Sequence, residues 1–298
     1  MSGNLFLAFS SFSKHFYPLP PRQVLRLSGP DAVAFAQAQL TNDVRTLADG
    51  CWQWTAWLNA KGRVIAIFQL LRLNPQQVLL LSHDDNAAEW AEQLQTFVFR
   101  RKVRITVETV HLEAAFQVPE FASGAALAAL NNGVIELDMG SADQPRVLRL
   151  ITDFQTENEN REKEDKTFIL AWQQADLCFG LPYLTASQYQ QWTPQQLGLT
   201  RLAAYSVKKG CYPGQEIVAR THFLGKAKRN SCLLALSAPA LPGSPITDEQ
   251  HKAVGTVVSC VGLLALAVLP VELDNAAAPL FINGETATVI PFLDGLGR

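Results

Sequence analysis

A chain of 298 residues with formal net charge -2, 48% hydrophobic and 17% charged, is long enough for two or three cores and too lightly charged for an obligate polybasic nucleic-acid binder. Residues 257–269, the longest apolar stretch, carry Ser259 and Gly262 and are too short to span a bilayer as a helix, while residues 1–16 lack the charged start and unbroken apolar core of an export signal. The cysteines at 51, 178, 211, 232 and 260 are odd in number and form no CxxC pair, which excludes a zinc knuckle or a cysteine-only iron–sulfur cradle and suits a reducing, cytoplasmic location.

The pattern begins with a short alternating strand at 24–27, followed by a helix for which Ser28 or Asp31 is the expected cap and Pro30 sits where a first turn tolerates it. A Trp-rich strand at 52–57, the NAKG turn at 59–62 and an apolar strand at 64–73 read as a hairpin. Trp90, Leu94, Phe97 and Val98 fall at helical spacing within 85–99, and Val103, Ile105 and Val107 alternate as a half-buried strand. Residues 124–131 read as a further helix-like run, with strands expected around 134–139 and 147–151. The charged run 156–166 is an exposed loop or helix start, and a helix over 172–177 is stopped by Gly180 and Pro182. Beyond 227 the texture changes to short β-prone runs, which predicts a small closed β-domain joined near 225–230. No GxGxxG follows an early strand, so dinucleotide binding has no motif.

The densest chemistry lies in KKGCYPGQE, residues 208–216. Two glycines and a proline shape the backbone around Cys211, and neighbouring cations together with a helix starting near Pro213 would favour its thiolate. The same spacing also fits a small cysteine packed under a turn, with Glu216 and Arg220 as an i,i+4 pair worth ~0.2–0.5 kcal/mol. A Cys–His hydrolase would need a base and an orienting group; His222 is the nearest histidine, and the sequence nominates no third member. Residues 201–230 hold seven Lys/Arg and one acidic residue, a local excess suited to a polyglutamate tail, a phosphate backbone or an acidic partner. Trp172 or Tyr212 near those lysines would suit a flat heterocycle bearing carboxylates, whereas Trp52 and Trp54 read as core.

KKGCYPGQEIVAR resembles the signature of the YgfZ family, folate-binding, tRNA-modifying proteins related to the glycine-cleavage aminomethyltransferase, or T-protein. LSGPDAVAFAQAQLTNDV at 27–44, NAKGR at 59–63 and Trp172 with GLP at 180–182 stand in the matching order, so the likeness runs along the whole chain. It implies an α+β fold of three domains in a cloverleaf around a central channel, ending in a β-barrel. The divisions it suggests are a folate-binding domain at 1–115 with part of 145–227, a second domain at 116–227 that ends in the signature, and a barrel at 228–298. Tetrahydrofolate or a derivative is the implied cofactor. The implied partners are iron–sulfur enzymes, including a tRNA-methylthiolating enzyme; direct contact with tRNA is left open. Carried over by position, Cys211 and Lys209 are the functional pair, and Tyr212, Gln215 and Glu216 complete the motif. Trp172 stands at a folate-contacting tryptophan, Asp43 lies in a turn matched by Gln39, Thr41 and Asn42, and Lys61 and Gly62 match the hairpin. The first folate-contacting position, a tryptophan in the best-known member, falls near Val24, a departure that bears on ring stacking on that side. The implied role is an accessory factor rather than a glycine-cleavage enzyme; the alternatives are a folate-dependent aminomethyl- or methyltransferase and a non-catalytic scaffold.

Overall fold

The computed structural model describes residues 12, 15–84, 86–130, 133–152, 163–223, 225, 227–273 and 279–298. Strands β1 (Tyr17–Ser28), β2 (Cys51–Leu58), β3 (Val64–Asn74), β4 (Gln77–Leu81), β5 (Arg104–Ala115), β6 (Ala128–Leu130), β7 (Val134–Asp138) and β8 (Val147–Ile151) form one sheet in the order β2-β3-β4-β1-β5-β8-β7-β6. Every pairing in it is antiparallel, and the sheet runs without interruption past residue 116. Successive strand residues face opposite sides. Val24, Trp52, Trp54 and Leu81 therefore enter one core with Phe168 and Trp172. Leu25, Leu27, Trp57 and Phe68 enter another, beneath helices α1 (Ala32–Gln39) and α2 (Ala87–Gln95). Cover on both faces is why β2 and β3 read as nearly unbroken apolar runs.

The expected hairpin forms, with Asn59 N–H donating to Arg63 O at 2.9 Å. Neither Ser28 nor Asp31 caps α1 through its side chain. Ser28 ends β1, and the Asp31 carboxylate instead accepts the Lys102 N–H at 2.6 Å. The helix-like run at 124–131 is not a helix: Ala128–Leu130 is a strand on β7, and residue 131 lies outside the described residues. The cause is competition for backbone groups. The Ala125 carbonyl accepts from Trp52, Leu127 N–H donates to Gly50, and the Asp138 carboxylate takes the Gly124 N–H at 2.8 Å. A segment of this length cannot outweigh such bonds by propensity. Much of the charged run, 156–162, also lies outside the described residues, and Asp165 at its end caps helix α3 (Lys166–Cys178) by accepting from Thr167 and Phe168 N–H groups.

The C-terminal strands β9 (Arg229–Leu236), β10 (Pro245–Thr247), β11 (Ala253–Val261), β12 (Leu264–Pro270), β13 (Leu280–Ile282) and β14 (Glu285–Ile290) close into a barrel in the order β10-β11-β12-β9-β14-β13. Closure is made by Ile246 opposite Ile282, and the interior is filled by Cys232, Leu234, Val257, Ala267 and Leu269. The apolar stretch 257–269 is thus a barrel hairpin turning at Gly262. Outward-facing Leu233, Leu264 and Leu266 pack on Ala171, Ala175 and Cys178 of α3, joining the barrel to the sheet. Among the described residues no helix is long and apolar enough to cross a membrane.

Candidate functional site

The signature loop is built around one buried cation. Lys209, 6% exposed, donates from Nζ to the carbonyls of Gln37 (2.7 Å), Leu40 (2.5 Å) and Asn42 (2.9 Å). These carbonyls are the unsatisfied C-terminal end of α1 and the turn after it, where a positive charge also meets the negative end of the helix dipole. Burial lowers the Lys209 pKa to about 8, with Asp43 working in the opposite direction. The turn itself is fastened by Thr41, whose hydroxyl donates to Ala204 O, and by Asn42, whose amide donates to Trp54 O and Ala203 O. Asp43 accepts the Arg45 N–H at 3.1 Å.

From that anchor the loop folds back on itself. Gln215 donates to the Lys209 carbonyl at 2.9 Å, and helix α4 (Gln215–Phe223) follows. Gly214 has φ +76, and a Cβ there would lie 2.6 Å from Asn59 O and 2.7 Å from Gly62 Cα. Only glycines permit this backbone-to-backbone seat between the signature and the NAKG hairpin. The Tyr212 ring is buried 5.0 Å from Lys209 Nζ, and burial pushes its phenol pKa up. Cys211 is exposed between these anchored neighbours, in contrast to Cys178, whose thiol burial pushes up to about 12. Glu216 is exposed on α4 and makes no ion pair with Arg220.

Trp172 stands elsewhere, on α3, in the wall of a partly open concavity with Pro20, Arg22, Ser82, His83 and Tyr183. No residue of the signature loop lines it. Behind Trp172 the guanidinium of Arg146 lies 4.7 Å from the indole and pairs with Asp176 at 2.8 Å, both groups being buried. The Tyr183 hydroxyl makes a short hydrogen bond to the other Asp176 oxygen, and burial first, then Asp176, pushes the phenol pKa well up. Tyr183 is held in turn by the barrel: its N–H donates to Ser259 Oγ, which donates back to the Tyr183 carbonyl. Burial lowers the His83 pKa to about 4, so the imidazole is neutral at pH 7, and its enclosed Nε2 makes no hydrogen bond within the described residues.

The residues expected from sequence therefore fall into two groups. Lys209, Cys211, Tyr212, Gln215, Glu216 and Asp43 gather around the signature loop, while Trp172 belongs to the concavity. Val24 is fully buried in the sheet core and lines neither; from the same strand it is Pro20 and Arg22 that reach the concavity. The basic stretch 201–230 is partly engaged internally. Lys209 is buried, Arg201 pairs with Asp294 and lies over Phe292, and Arg229 donates to Val254 O; Lys226 lies outside the described residues. The cation facing Trp172 is Arg146, not one of the signature lysines. His83, Tyr183, Asp176 and Arg146 escaped the sequence reading; the one local signal was Asp176 on the same helix face as Trp172, one turn on. Among the described residues no group of three or more His, Cys, Asp or Glu side chains is placed to hold a metal ion.

The sheet-plus-barrel architecture is shared with one solved aminomethyltransferase. The crystal structure of glycine cleavage system aminomethyltransferase T from Bartonella henselae superposes with TM-score 0.75 at 17% identity, covering 97% of this chain and 88% of that one. The α+β fold with a terminal barrel expected from the sequence is thus the one found. Residues 228–292 match the family model of the CAF17 C-terminal beta-barrel domain. The tRNA-modifying protein YgfZ of Shigella sonnei is 27% identical over 314 aligned positions, spanning 89% of this chain and 92% of its own. The Escherichia coli protein of the same name is 27% identical over 304, and a Haemophilus influenzae protein described as uncharacterised is 28% identical over 266, with 87% of this chain covered. Together these findings show that the chain is similar to the YgfZ proteins over most of its length and shares the fold of a solved aminomethyltransferase.

Proposed function

We propose that this protein is a folate-binding accessory factor for tRNA modification that supports the assembly or maintenance of certain iron–sulfur enzymes, a tRNA-methylthiolating enzyme among them. The observation that carries the reading is the signature loop, in which a buried Lys209 and a glycine-to-glycine contact hold the backbone while the Cys211 thiol faces solvent. All three Lys209 N–H donors have carbonyl partners, so its role is to position the loop, leaving Cys211 to meet a partner. The relatives named for tRNA modification, and the aminomethyltransferase fold, agree with that role.

Tetrahydrofolate or a derivative fits the concavity by chemistry. Trp172 and Tyr183 offer aromatic walls, the Nε2 of His83 is an unpaired polar atom for the edge of a heterocycle, and Arg22 supplies positive charge toward a carboxylate tail. A reduced folate would bring a one-carbon carrier to the site. The protein's own contribution is to hold the ring and, through neutral His83, to hydrogen-bond its edge without a competing charge. Trp172, backed by the Arg146–Asp176 pair, is the residue on which binding is expected to depend.

The experiment is titration with tetrahydrofolate derivatives followed by tryptophan fluorescence, with Trp172→Ala as control, alongside complementation by Cys211→Ala in cells lacking the native protein. Saturable binding lost in W172A, and lost function in a normally folded C211A, are the expected results. Absence of binding to every derivative would leave a Cys211-centred scaffold, and full activity of C211A would end the role given to that thiol.

A further inference from the structure

A second surface carries chemistry that the site described above does not use. Between Glu92 and Glu108 the chain has four cations, Arg100, Arg101, Lys102 and Arg104, and no acidic residue. All four are exposed, and none forms an ion pair with another described residue. Val98 and Val103 are buried and clamp the segment to the core, which turns Phe97 and Phe99 outward to 49% and 86% exposure. Phe99 has φ +46, a left-handed conformation that a bulky side chain rarely adopts, and the Arg101 N–H bond to Val98 O at 2.9 Å closes the turn around it. Two backbone contacts to Asp31 fasten the loop: Lys102 N–H donates to the carboxylate at 2.6 Å, and Asp31 N–H donates to Lys102 O at 3.2 Å. An exposed ring held in a costly conformation on a fastened loop is a feature the fold maintains at the expense of stability.

We propose that this face docks single-stranded or loop RNA, with Phe97 and Phe99 stacking on unpaired bases while Arg100, Arg101, Lys102 and Arg104 neutralise the flanking phosphates. Exposed aromatics beside cations match the two properties of such RNA, unstacked π-faces and a polyanionic backbone. An anionic membrane offers the same charge, but the Arg100 guanidinium lies 5.2 Å from the Phe99 ring centroid, so burying that ring in hydrocarbon would draw a cation in with it. Against a base the pair acts as one stacked platform. The identity of the polyanion as RNA rests on the tRNA-modification reading above; the surface itself is independent of the folate concavity and of Cys211.

The test is fluorescence anisotropy of a labelled single-stranded RNA with the full-length protein across ~50–200 mM salt, with phosphatidylglycerol vesicles as a parallel probe. The triple variant Arg100→Ala, Arg101→Ala, Lys102→Ala is expected to weaken binding and flatten the log–log salt slope by about two. Phe99→Gly removes the ring and relaxes the left-handed residue, so its loss of affinity, expected at about 5- to 100-fold, comes without loss of fold. RNA affinity unchanged in both variants, absent from the wild type, or replaced by vesicle binding would each overturn the proposal. Folate titration of the same variants keeps the readings separate: intact folate binding with no RNA binding sinks this inference alone, and the reverse sinks the folate reading.

Discussion

Replacing Lys209 with methionine asks which force governs the signature loop. The substitution keeps the length of the side chain and removes an ammonium that serves three carbonyls, those of Gln37, Leu40 and Asn42. Buried carbonyls left without a donor cost about 1–3 kcal/mol each, less where water reaches them, so Lys209→Met should destabilise the protein by about 3 kcal/mol at pH 7. The pH dependence is sharper. Burial lowers the folded-state pKa from 10.5 to about 8. Below pH 8 both states hold the proton and the burial cost is constant. Between about 8 and 10.5 the unfolded chain retains a proton that the folded chain has released, so wild-type stability rises with pH through that window. The full gain is about 3 kcal/mol, and it is absent from the variant. Urea unfolding of both proteins at half-unit steps from pH 7 upward measures the gap directly, and it should widen. A gap that stayed flat or narrowed would mean that the three carbonyls and the helix dipole outweigh desolvation, and the account of Lys209 would be wrong.

Gly214→Ala should lower the melting temperature and loosen the signature loop, since its Cβ would sit 2.6 Å from Asn59 O at a backbone φ of +76; an unchanged melting curve would contradict the seat. Asp176→Leu leaves Arg146 buried without its carboxylate, and a loss of about 3–5 kcal/mol is expected in chemical denaturation, together with weaker folate binding through the displaced Trp172 and Tyr183. Glu136 is the acid-sensitive group of the sheet. Burial alone would raise its pKa, but the N–H groups of Phe121 and Ala122 and the Arg149 guanidinium together lower it, so the stability it contributes is present above the unfolded value of 4.5 and lost as pH falls below it. Glu136→Gln should therefore flatten the acid limb of the pH–stability curve relative to wild type, and parallel limbs would refute the assignment.

Much of the fold was legible because it is local or periodic. The alternation of Trp52 and Trp54 placed them in the core, the NAKG turn set the hairpin, and the short β-prone runs after residue 227 announced the barrel. The run at 124–131 misled because its alanines carry helix propensity, while its backbone bonds to Trp52, Gly50 and the Asp138 carboxylate are made with other segments of the chain. The helical spacing within 85–99 likewise overran the helix, since α2 ends at Gln95 and Phe99 turns left-handed.

By itself the sequence determined the information-dense motif around Cys211, the hairpin glycine and the tryptophan on α3, since glycine, cysteine and tryptophan are residue choices that local spacing makes conspicuous. Only the tertiary structure decided that Lys209 is an internal anchor rather than a surface cation, that Trp172 and Cys211 occupy different places, and that Val24 is core while Arg22 lines the concavity. The reason is physical: a lysine's role depends on which carbonyls surround its ammonium, and those of Gln37, Leu40 and Asn42 are supplied by a helix end far away along the chain. Sequence records that the charge exists; long-range packing decides what it faces.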